Sequence, residues 1–150
     1  MKHSGLLFFH RFLILAAAIT LACGSSPKTT ILPNCGAATG NSNAGQPQSI
    51  TLCPATADAQ EFGGQVQYVA TGYYTTQPSP VTPIKPGAWG ACQQNAPTTE
   101  VSVSDTGLAR CESGASGTYQ IFASDGTECL VIGPCGTGCQ VSGYAQLTCP

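Results

Sequence analysis

The densest chemistry in this 150-residue chain lies in its nine cysteines. Thiols can pair as disulfides, ligate a metal or carry redox equivalents, and their spacing separates these outcomes. No Cys-x-x-Cys occurs, so a thioredoxin-like couple is not predicted. Cys129, Cys135, Cys139 and Cys149 offer one Cys-x3-Cys step with wide flanks, a weak match to a four-thiolate zinc site. The eight cysteines Cys35, Cys53, Cys92, Cys111, Cys129, Cys135, Cys139 and Cys149 form an even set and read as structural disulfides of an oxidising compartment. Asp105-Thr-Gly107 is the other chemical tripeptide. Aspartic proteases use this sequence, but they need two such aspartates sharing a proton and the chain has one copy. Asp and Gly at these places also suit a tight hairpin turn. The seven carboxylates are scattered with no Asp-x-Asp ladder for calcium. No metal and no cofactor is assigned.

The ninth cysteine, Cys23, belongs to the amino-terminal leader. Lys2, His3 and Arg11 flank an apolar run over 12–22, shorter than the roughly 20 residues that span a bilayer, and the pattern is that of a signal peptide. Ile19-Thr-Leu-Ala-Cys23-Gly24 resembles the lipobox of bacterial lipoproteins, with Thr20 where Leu is commonest. The resemblance implies cleavage after Ala22, diacylglyceryl on Cys23 and a membrane partner reached through that lipid. Gly24 in place of Asp implies the outer membrane if the cell has two. An ordinary secretory signal would instead leave Cys23 a stray thiol. Loss of 1–22 removes His3 and His10, the only histidines. The mature chain then has no Ser-His or Cys-His nucleophile pair and no His metal ligand.

The elements that would position any site read as β. The chain has 18 Gly, 11 Pro and only 8% charged residues, a loop-rich composition poor in helix formers. Five Lys and Arg cannot build the basic stripe of a nucleic-acid binder. Residues 23–47 are small and polar, so they offset little of their ordering entropy by burial and are predicted to form a flexible tether. Within it, Cys35 is expected to tie back to Cys53. From residue 48 the pattern is period two: Ile50 and Leu52; Val66, Tyr68 and Ala70; Tyr119, Ile121 and Ala123; Ala145, Leu147 and Cys149. Gly63-Gly64, Gln77-Pro-Ser-Pro80, Pro86-Gly87, Gly114 and Asp125-Gly126 punctuate these strands.

Ser49-Ile-Thr-Leu-Cys-Pro54, Gly63-Gly-Gln-Val-Gln-Tyr-Val-Ala-Thr-Gly-Tyr-Tyr74, Ala88-Trp-Gly90, the stretch 101–109 ending in Thr-Gly-Leu-Ala, and Gly117-Thr-Tyr-Gln-Ile-Phe-Ala123 together resemble group 2 bacterial immunoglobulin-like domains. The likeness covers about residues 48–124, with 143–149 as a possible last strand. It implies that 48–150 is an all-β, immunoglobulin-like antiparallel sandwich, here carrying disulfides and an extra C-terminal cysteine-rich hairpin that the family lacks. In that topology Trp89 is expected to be a core aromatic. Tyr73 and Tyr74 face opposite ways, so one of them is exposed, either as a simple edge residue or as a ligand contact. The topology also implies Cys92 paired with Cys111. Position suggests Cys135 with Cys139 and Cys129 with Cys149, or, swapped, Cys129 with Cys139 and Cys135 with Cys149. The function so implied is a surface-tethered module with a binding or structural role at the cell envelope, in adhesion or in contact with an extracellular glycan or protein, and not an enzyme. The alternative is a small secreted enzyme using Asp105, Glu112, Asp125 or Glu128, or a protease inhibitor presenting a Cys135–Cys139 loop.

Overall fold

Ile50 and Leu52 are buried while Ser49 and Thr51 between and beside them are exposed, the alternation of a half-buried strand. Gly143, Ala145, Leu147 and Cys149 repeat it near the other end of the chain. The computed structural model describes Cys35, residues 45–126, Cys135, Cys139 and residues 141–150. The 1–22 leader, Cys23, most of the tether, Glu128 and Cys129 lie outside the described residues.

The strands are β1 (Pro47–Cys53), β2 (Thr56–Asp58), β3 (Gln65–Gln67), β4 (Val69–Tyr74), β5 (Ala88–Gln93), β6 (Ala96–Pro97), β7 (Val101–Val103), β8 (Leu108–Cys111), β9 (Gly117–Ser124) and β10 (Ser142–Cys149). One 3-10 turn, Ala59–Phe62, follows β2. It starts where the Asp58 side chain accepts the Gln60 N–H at 2.9 Å, and stops at Gly63, whose φ of 70° is left-handed.

The fold is all-β, as expected. One layer has the order β2-β10-β9-β5-β6, with β10 antiparallel to β9 from Ser142 opposite Ser124 to Cys149 opposite Gly117. Only the β10 to β2 pairing is parallel among the described strands. The facing layer is built from β1-β4 and β3-β8-β7. β3 and β4 are one strand interrupted at Tyr68, whose N–H donates to Gly107 O at 2.8 Å. The Tyr68 ring is buried and its hydroxyl crosses to the other layer, donating to Gln146 O at 2.9 Å. Around it pack Ile50, Leu52, Val66 and Ala70 from one layer and Ala91, Tyr119, Ile121, Ala145 and Leu147 from the other. Each large side chain so buried contributes roughly 1.5–3 kcal/mol.

The disulfides correct part of the expected connectivity. Cys35 bonds Cys53, as expected. Cys92 bonds Cys135, not Cys111, and Cys111 bonds Cys149. The pairings Cys92 with Cys111, Cys135 with Cys139 and Cys129 with Cys149 are therefore overturned, as is the swapped Cys135 with Cys149. Cys139 is also in a disulfide. A zinc site on these thiols is overturned with them. Strand parity explains the difference. Ala91 belongs to the main core, so its neighbour Cys92 faces the outside of its layer, where it forms a second small cluster with Phe122 and Cys135. Cys111 and Cys149 both join the main core, one from each layer. β9 and β10, the strands on either side of the cysteine-rich stretch, pair antiparallel over the full length of β10 within the principal sheet.

Candidate functional site

The hydrogen bonds of the strand 65–74 open a gap in its layer. Along one edge, Tyr68 N–H donates to Gly107 O, whereas Gly72 exchanges bonds of 2.9 Å with Val81 and Ala70 O accepts from Ile84 N–H at 2.9 Å. The edge is thus covered first by the tip of the β7–β8 hairpin and then by the proline-rich segment 81–86. Between these two partners lies a cavity of about 540 Å³, within the usual size of small-ligand sites. Its apolar walls come from Val69, Ala70, Pro83, Ile84, Pro86 and the half-buried Trp89; its polar groups belong to Gln67, Lys85, Asp105 and Thr106.

Each wall has a local cause. Trp89 stands on β5 opposite Ala123 and rests on Gly107. A Cβ at Gly107 would lie 2.9 Å from the indole Cζ2 and 2.5 Å from Tyr68 O, and φ there is +83°, so glycine alone fits. Ser104 builds the hairpin turn: its Oγ accepts from Thr106 N–H at 3.3 Å and Leu108 N–H at 3.0 Å. This puts Asp105 and Thr106 at the cavity, in the tight turn expected for Asp105-Thr-Gly107. Gln67 Nε2 donates to Tyr68 O at 2.9 Å and Thr106 O at 2.7 Å. Both partners are carbonyls, so the amide nitrogen must face them and Oε1 is left as an acceptor. Prolines at 83 and 86 restrict the opposite wall.

Two features beside the cavity are not explained by packing. The Trp89 Nε1 is buried and has no hydrogen-bond partner, an arrangement that native interiors largely avoid. Lys85 and Asp105 line one cavity, yet neither is engaged in an ion pair among the described residues. Three other carboxylates are committed elsewhere, Asp58 to its turn, Glu112 to Ser102 Oγ at 2.6 Å and Glu100 to the Tyr119 hydroxyl, whereas Glu61 and Asp125 also lack a side-chain partner among the described residues.

A smaller cleft of about 180 Å³ shares Ile84, Lys85 and Pro86 with the cavity and adds Tyr74 and Asp125. Tyr74 lies over Gly72, where a Cβ would come within 2.8 Å of its ring, and its N–H donates to Ser79 Oγ at 2.9 Å. Tyr73 is 38% exposed, pairs with Ser49 and lines neither space. The expected exposed tyrosine is therefore Tyr73, while Tyr74 is the one brought to a cleft. Trp89 does pack against the core, as expected, and also walls the cavity. Gln67 and Lys85 escaped sequence reasoning. Lys85, alone between Pro83-Ile84 and Pro86 in a cation-poor chain, was the one signal available. Among the described residues no group of three His, Cys, Asp or Glu could hold a metal ion. No family model matches the chain, and no curated protein matches it either.

Proposed function

We propose that this protein is an exported binding module of the cell envelope, anchored by lipid on Cys23 and raised on the 23–47 tether, with the Trp89 cavity as the place where an extracellular ligand sits. The resemblance to immunoglobulin-like domains supports the same reading, since such domains decorate surface proteins and are seldom catalytic. The observation that carries it is the cavity itself. A half-buried tryptophan whose buried N–H has no partner costs stability, and such costs are commonly borne at sites of function; the exposed Lys85 and Asp105 beside it are free to meet a ligand. The inhibitor reading loses its loop, because Cys135 is buried under Cys92 and does not close a ring with Cys139. Trp89 is the sole tryptophan, so its emission reports on the cavity without labelling. Saturable change in that emission on adding envelope or host-surface extracts supports the proposal. Unchanged emission, together with no heat of binding, refutes it. Intact mass of the membrane-extracted protein tests the anchor: a chain beginning at Cys23 with acyl groups is expected, and an unmodified chain refutes it.

A further inference from the structure

The two adjoining spaces share a design. The larger is lined by Tyr68, Trp89 and Asp105, the smaller by Tyr74 and Asp125, and Lys85 lines both. We infer that the ligand is a neutral glycan, with neighbouring sugar residues in the two clefts on either side of the Ile84, Lys85 and Pro86 wall. The inference rests on the binding proposal above and names its ligand class.

The chemistry of the lining selects among ligands. The polar side chains lining the two clefts are three acceptors, Gln67 Oε1, Asp105 and Asp125, one hydroxyl, Thr106, and one donor cation, Lys85, so a ligand rich in hydroxyl donors that can also accept matches them best. Sugar hydroxyls do both, donating to the carboxylates and the fixed amide oxygen and accepting from Lys85. The C–H faces of the sugar ring pack on the indole, the phenol and the proline rings. A phosphate or sulfate ester meets two carboxylates against one lysine. An amine satisfies the carboxylates but, being a donor only, offers Lys85 no acceptor and repels it. A hydrocarbon chain leaves these polar side chains without partners. Gln67 is held by two carbonyl oxygens, so its acceptor is set before the ligand arrives, and little order is lost on binding.

The test uses the full chain in detergent, read by Trp89 emission and by calorimetry. The probes are cellotriose, maltotriose, mannotriose and N-acetylchitotriose with their monosaccharides, heparin as an anionic glycan, decaproline as a peptide, and 8-anilinonaphthalene-1-sulfonate as an apolar anion. One neutral trisaccharide is expected to bind saturably and at least tenfold tighter than its monosaccharide. Asp105→Asn is expected to weaken both by about tenfold. Asp125→Asn is expected to weaken only the trisaccharide, and Tyr144→Ser, on the far face of the sheet, to change neither. Equal affinity for both sugar lengths, or a trisaccharide indifferent to Asp125→Asn, overturns the two-cleft placement. Saturable binding of heparin, decaproline or the naphthalene dye with none of the neutral sugars overturns the glycan assignment and leaves the binding proposal standing. Silence from every probe overturns the glycan, and silence from the extracts as well overturns both.

Discussion

Replacing Trp89 by Phe separates a residue kept for packing from one kept for a ligand. The substitution removes on the order of 40 Å² of apolar ring, about 1 kcal/mol at 25 cal/mol per Å². It also removes the buried Nε1–H that has no partner, and an unsatisfied buried donor costs about 1–3 kcal/mol. The two effects oppose each other, so Trp89→Phe is expected to change stability by about 1 kcal/mol or less, and the sign can be favourable. Were the indole N–H bonded, the same substitution would lose the ring area and also leave an acceptor unpaired, about 2–4 kcal/mol in all. Guanidinium unfolding followed by far-ultraviolet circular dichroism measures the difference, since the variant lacks the tryptophan signal. A loss above about 2 kcal/mol at unchanged m value refutes the reasoning, because the indole N–H would then be satisfied in the folded protein.

Three further outcomes follow from the fold. Removing Cys111 and Cys149 together is expected to cost about 4 kcal/mol by loop-closure entropy over their separation of 38 residues, and non-reducing peptide mapping should recover the 35/53, 92/135 and 111/149 links; a 92/111 peptide would contradict the structure. Burial pushes the Tyr68 phenol above its ordinary value of 10.0, so below that pH it is neutral in both states, and above it only the unfolded state ionises. Stability should then fall as pH rises past about 10, by up to roughly 1.4 kcal/mol per pH unit from this group, and Tyr68→Phe should flatten that decline; equal slopes in the two proteins would refute the assignment. Gly90→Ala brings a Cβ to 2.4 Å from the Phe122 ring, an overpacking expected to cost about 1–3 kcal/mol in a urea titration, and a neutral result would show that the ring does not lie across the glycine.

The strands were legible because period-two burial is a local property: Ile50 and Leu52, Val66 to Ala70, Tyr119 to Ala123 and Ala145 to Cys149 each announce a buried face within a few residues. The Asp105-Thr-Gly107 turn was legible for the same reason, as was the staple from Cys35 to Cys53. Distant pairings were not. Whether Cys92 faces the core or the outside depends on its register with Gln120 and on what covers that face, and neither is written in the residues around it. The cavity was illegible for a related reason. Its walls come from 67–70, 83–89 and 105–106, and it exists because a strand edge changes partner from Gly107 to Val81 and Ile84. Residue types alone gave Trp89 to the core, and only the layer geometry shows that one ring can serve both places.

The order of the cysteines along the chain has a consequence for biosynthesis. The links 92/135 and 111/149 interleave, so an oxidant that joins thiols in the order in which they emerge would close Cys92 with Cys111 and trap both. Reaching the native set requires either that β10 docks between β2 and β9 before oxidation or that a wrong bond is later exchanged by attack of a free thiolate. Yield of the correctly linked protein should therefore depend on a disulfide isomerase, whereas the adjacent 35/53 link should form with the oxidase alone.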